Sequence, residues 1–171
     1  MNSNMQKLTK ISGVFRGLVL AGSAAMLFFL VYEYFVNDEL RRAASTYFYE
    51  LWDSPNANRG ILLTLQLPRL ITLFIGLYWL QRLLGHFQLG KFFGNEAMHC
   101  YLWLIWLKVL AIVLKIVQQL GTAIYHNQYF EHTRISLDLD VGNITTIMLM
   151  LLIAYLLKAA REIEAENKEF V

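Results

Sequence analysis

Apolar residues fall in four blocks, at 14–36, 61–84, 101–125 and 141–157, separated by polar stretches. Each block is close to the ~20 residues a helix needs to cross a bilayer. The pattern therefore predicts four transmembrane helices. A soluble helical protein built on the same four blocks would need a polar shell around them, and the remaining sequence is too short to supply one. Between the first two blocks, Leu40, Ala43, Ala44, Tyr47, Phe48, Leu51 and Trp52 recur at helical spacing, with Arg41, Arg42, Thr46 and Glu50 among them. That alternation predicts an amphipathic helix over 38–52, capped by Asn37 or Asp38. It would lie along the membrane or over the mouth of the bundle.

The blocks differ in detail. The first carries Gly17, Gly22, Ser23, Ala24 and Ala25, a small-residue side of the kind that lets helices approach closely in lipid. It has no Ala-x-Ala site and is expected to be a retained helix, not a cleaved signal. The second contains Pro68, which removes an internal hydrogen bond and predicts a kink. Residues 85–100 read as a polar connector with three glycines, in which Asn95 is placed to cap the next helix. The fourth block runs on into a charged stretch, 158–169, predicted to continue as a projecting helix with Glu164 and Lys168 as an i,i+4 pair.

Composition and charge fit this picture and orient it. The chain is 57% hydrophobic and 16% charged, against about 25% charge in a soluble domain. Net charge is +2 with mixed signs, so no direct nucleic-acid partner is expected. Lys7, Lys10, Arg16, Arg82, Lys91, Lys158, Arg161 and Lys168 fall on one side of the membrane, against Arg41, Arg42, Arg59 and Arg134 on the other. The positive-inside rule then puts both termini in the cytoplasm. The fold class expected is all-α: one polytopic domain over 1–171, with four transmembrane helices in a compact bundle, a far-side amphipathic helix and a cytoplasmic extension of the last helix.

Charged residues inside the spans mark candidate chemistry, because ionisable groups at bilayer depth are costly and commonly face a bundle or a wet cavity. Lys108 and Lys115 share a helix face, about 10.5 Å apart along the axis. On this reading Lys108 starts near the cytoplasmic end and Lys115 lies deeper. Arg69 enters the second span, and Glu33 near the end of the first has the depth to meet Arg69 or Lys115 in the outer half of the bundle. Glu33, Arg69, Lys108 and Lys115 are thus a candidate intramembrane polar cluster, while snorkelling to the headgroups is the simpler alternative for Arg69 and Lys108. His86, His99, Cys100, His126 and His132 flank connectors without metal-ligand spacing and are expected to be ordinary loop residues. Glu131, His132, Asp138 and Asp140 lack an EF-hand arrangement. No nucleophile, phosphate loop or zinc motif stands out, so neither an enzyme nor a cofactor is expected.

The stretch Gly90-Lys91-Phe92-Phe93-Gly94-Asn95-Glu96 and the tail Ala160-Arg161-Glu162-Ile163-Glu164-Ala165-Glu166-Asn167-Lys168-Glu169-Phe170-Val171 resemble a bacterial four-span membrane family, domain of unknown function 2975. Gly94, and His99 with Cys100, depart from the family's connector. The resemblance implies a bacterial inner-membrane location and an interaction or signalling role, with a small cytoplasmic helix-turn-helix regulator as partner. It implies a cytoplasmic face formed by Gly90, Lys91, Phe92, Asn95, Arg161, Glu162, Glu164, Glu166 and Asn167. Membrane lipid and a second copy of the chain are the other partners expected. The rival reading is a small transporter or ion-conducting protein whose polar cluster lines a wet path.

Overall fold

The computed structural model describes residues 3–36, 46–92, 94–130 and 141–169, with the side chains of 3–5, 33–36, 46 and 164–169 left aside. The described residues form five helices: α1 Ser3–Val36, α2 Thr46–Asp53, α3 Arg59–Gln88, α4 Asn95–His126 and α5 Val141–Glu169. Four of them, α1, α3, α4 and α5, are long and apolar enough to cross a membrane. Contacts among them run in sequence: α1 packs on α3, α3 on α4 and α4 on α5, and among the described residues none joins α1 to α5. The bundle is therefore open on one side. Most of the α1 and α5 surface is apolar and exposed, including Phe28 and Met148, as suits a helix bathed in acyl chains.

α2 closes one end of the α3–α4 pair, here termed the cap end. Its expected first half, residues 38–45, lies outside the described residues. The described turns bury Phe48, Leu51 and Trp52 against Leu62 of α3, with Tyr125 of α4 packed alongside. Phe48 stacks on Trp52 at 5.6 Å, and the Arg59 guanidinium covers the Trp52 ring at 5.1 Å. Asn58 caps α3 by accepting a 2.8 Å bond from the Gly60 N–H. Its own N–H donates to the Tyr125 hydroxyl at 2.9 Å, pinning the α2–α3 corner to α4. α2 is thus docked on protein through an apolar core, and its amphipathicity serves that core.

At the opposite, turn end, α3 and α4 run closer together than the sequence pattern predicts. The expected connector 85–100 shrinks to the few residues between Gln88 and Asn95. Leu83, Ala97 and Cys100 form a second buried cluster with Trp79 and Phe87, and that burial holds both helix ends in helical form. Asn95 is the first residue of α4; Gly94 occupies the capping position with no side-chain bond. α3 ends in a Schellman motif. Gly90, at φ +74°, donates to the Phe87 carbonyl, and Lys91 donates to the His86 carbonyl, both at 3.0 Å.

The close approaches also fall elsewhere than expected. Gly17 and Gly22 have open space around them, and α1 meets α3 lower down, at Gly13 and Arg16. There Arg16 donates to Gln88 Oε1 at 3.1 Å and accepts from Gln81 Nε2 on its carbonyl at 3.2 Å. α3 and α4 pack tightly at Gly121, where a Cβ would stand 3.0 Å from Leu65 Cδ2. Gly121→Val is expected to wedge the two helices apart and cost about 1–3 kcal/mol. Thermal unfolding in micelles checks this, and an unchanged midpoint would contradict the packing described.

Candidate functional site

Two hydrogen bonds fix how α5 lies on α4. Tyr101 donates to the Met150 carbonyl at 3.1 Å, and Lys108 Nζ donates to Asn143 Oδ1 at 2.8 Å. The partners are spaced seven residues apart on each helix, so the pair runs antiparallel in one register. Lys108 therefore lies beside the first turn of α5. From there α4 continues to His126, about 27 Å further. In the other direction Lys108 stands about 20 Å from Asn95 at the turn end, so α5 begins beside the middle of α4. An ammonium at this depth needs an acceptor, and Asn143 supplies one. Sequence reasoning missed Asn143 because an amide near a helix start resembles an ordinary boundary residue.

The other members of the expected polar cluster are not all brought together. Lys115, two turns beyond Lys108, is half-buried and engaged. Arg69 is exposed on α3. The Glu33 side chain lies outside the described residues, and so do its expected pairings. The same α4 stretch as Lys115 buries further polar groups. Gln118 and Gln119 bury Oε1 atoms without a hydrogen-bond partner among the described residues, and Thr122 is buried one turn on. At Pro68, the lost helix bond is followed by Thr72, whose hydroxyl donates to the Pro68 carbonyl at 2.8 Å.

His126 is a correction. The sequence placed it in a polar connector; it is the last residue of α4 and only 3% exposed. Its Nε2 lies 2.7 Å from Glu50 Oε2 of α2. The ring stacks on Phe130 at 4.4 Å and leans on Tyr47 at 4.7 Å. Glu50 stays exposed and at the same time ties α2 to α4. The signal was present: His126 follows Thr122 and Ala123 at the spacing of one helix face. His132 and the acidic residues Glu131, Asp138 and Asp140 lie outside the described residues. Among the described residues, no three His, Cys, Asp or Glu gather as a metal-ligand set.

The turn end collects most of the expected partner face. Gly90 makes the turn, Lys91 is exposed, and Phe92 is half-buried with its ring 5.3 Å from Phe87. Asn95 and Glu96 open α4 on the surface, and Glu96 reaches back to His86 Nδ1 at 3.4 Å. Just inside, Trp79 and Trp103 stack at 5.4 Å, with the Arg82 guanidinium over Trp79 at 5.5 Å. His99 Nε2 accepts from Trp103 Nε1 at 2.9 Å. His99 is thus part of an aromatic cluster on α4, not of a loop.

The α4–α5 register brings Leu157 level with the start of α4. Residues 158–169 then project beyond it by about 18 Å of helix. Arg161 and Glu162 are exposed on this projection. The side chains of Glu164, Glu166 and Asn167 lie outside the described residues. α1 begins at the same end, since Thr9 is the nearest side chain to Gly90. Comparison of the chain with protein-family models, with curated proteins and with solved structures finds no match.

Proposed function

We propose that this chain is an interaction or signalling protein of a bacterial inner membrane, which holds a small cytoplasmic helix-turn-helix regulator at its turn end. The observation that carries the reading is the projection of α5 past the Gly90 turn. It presents Arg161 and Glu162 on a free-standing helix at the same end as exposed Lys91. A projecting helix beside a rigid turn offers two separate docking elements, and mixed charge of this kind selects partners more than it adds raw affinity. The regulator as partner class comes from the resemblance of the turn and tail. The excess of Lys and Arg at the turn end orients both termini toward the cytoplasm.

The reading is tested by comparing soluble proteins retained on washed membranes that carry the native chain or a K91E/R161E double variant. A helix-turn-helix protein is expected with the native chain and is expected to be lost with the variant, at equal membrane levels of the two chains. An unchanged set of retained proteins would contradict the proposal.

A small transporter or ion-conducting protein is the second reading. Its support is the half-buried polar run of Lys115, Gln118, Gln119 and Thr122 along α4. Against it, Arg69 stands on the outer surface and Lys108 is held by Asn143. In reconstituted vesicles, ion flux that K115M abolishes would favour this reading over the first.

A further inference from the structure

Beside the Trp79–Trp103 stack the surface of α4 is hollowed twice. At the turn end a pocket of about 380 Å³ is lined by Arg82, Asn95 and His99, among others. Next to it an apolar groove of about 590 Å³ runs up α4 past Trp103 and Trp106 to Leu110. His99 lines both, so the two hollows share a wall and form one site with a polar mouth and an apolar body. From His99 to Leu110 the helix rises about 16 Å. That is close to half of the ~30 Å hydrocarbon core, the depth one acyl chain occupies.

From this geometry we infer that the site seats an anionic phospholipid, with its phosphate at Arg82 and Asn95 and one acyl chain along Trp103, Trp106 and Leu110. The charge of the mouth selects the headgroup. Arg82 is exposed, and stacking on Trp79 holds its guanidinium at the rim. The one carboxylate in the lining, Glu96, leans toward His86 at 3.4 Å. α4 also starts here at Gly94 without a side-chain cap, so its first N–H groups add positive potential beside Arg82. The groove supplies what a chain requires: Trp106 is 68% exposed and Trp103 43% exposed, both flat apolar surfaces at acyl depth. The inference is independent of the regulator reading, because it concerns the α4 surface within the leaflet and not the projecting tail.

The probe is tryptophan quenching. The full chain is reconstituted in phosphatidylcholine vesicles in which a minor fraction of the lipid carries brominated acyl chains. That fraction is phosphatidylglycerol in one arm and phosphatidylcholine in the other. Trp79, Trp103 and Trp106 report on the site, while Trp52 is buried in the cap core and forms the background. Brominated phosphatidylglycerol is expected to associate about fivefold more strongly than brominated phosphatidylcholine, the effect of one basic residue near a headgroup. R82Q is expected to bring the ratio near unity. N95D, which sets a negative charge in the exposed mouth, is expected to do the same by a separate route. K91Q, at the same end but outside the pocket, is expected to keep the preference. Equal quenching by the two lipids in the native chain overturns the inference. So does a preference that survives both R82Q and N95D, or one that K91Q lowers as much as R82Q, which would mark diffuse surface charge.

Discussion

Truncating Leu51 to alanine is expected to destabilise the cap end by about 2–5 kcal/mol, the range for deleting a fully buried leucine. Leu51 is 0% exposed and touches Leu62, also 0% exposed, in the core that joins α2 to α3. The eight described residues of α2 are too few to persist as a helix in water by themselves. Its structure therefore depends on this contact, on the Glu50–His126 pair and on the ring stack around His126. Hydrogen exchange in micelles reads the effect directly. Amides of residues 46–53 should lose protection in L51A while those of α5 keep theirs. Equal protection of 46–53 in both proteins would show that the cap is held by something other than this core.

Removing the acceptor for Lys108 is the second large effect. In N143L the ammonium keeps its depth and loses the Asn143 oxygen, at a cost of about 1–3 kcal/mol for an orphaned polar group. Changing both sides should be far milder than the sum. In K108M/N143L the charge is gone along with its acceptor, and replacing both partners by apolar groups of similar shape is near neutral. The unfolding midpoint in mixed micelles, taken over the full double-mutant cycle, checks this. A double variant as unstable as the two single losses added together would mean that the pair does not hold α5 to α4.

The spans were legible because lipid imposes a simple requirement. Every helix that crosses must be apolar over a fixed length, and that length is written in the block pattern. Residues 141–157 and their charged continuation predict a single helix, and α5 runs unbroken from Val141 to Glu169. The α3–α4 turn was less legible. Gly85, Gly90 and Gly94 look alike in sequence, but only Gly90 takes positive φ. Gly85 stays helical because Leu83 and Phe87 on either side of it are drawn into the cluster with Ala97 and Cys100. The contact surface of α1 was misplaced because small residues permit close packing without requiring it. Gly17 and Gly22 meet nothing, while the polar pair Arg16–Gln88 marks the true approach.

The candidate sites divide in the same way. Lys108 was visible as a charge in an apolar run, but its partner Asn143 lies thirty-five residues away, and no local pattern links them. His126 and Glu50 are seventy-six residues apart, and each alone resembles a solvated residue. The aromatic wall of Trp79 and Trp103 needs two helices in antiparallel register before it exists at all. Spacing within one helix shows which face a residue takes. Which partner stands opposite is set by the register between helices, and a single sequence does not display that.

We propose above that the turn end is a docking face for a soluble regulator. It is tested most directly by placing a photoreactive residue at Lys91 and, separately, at Glu162, then irradiating native membranes and identifying what is captured. The same soluble helix-turn-helix protein is expected from both positions, and none of it from a probe at Tyr129 near the cap end. Capture of only further copies of this chain from Lys91 and Glu162, or of the regulator equally from Tyr129, would contradict it.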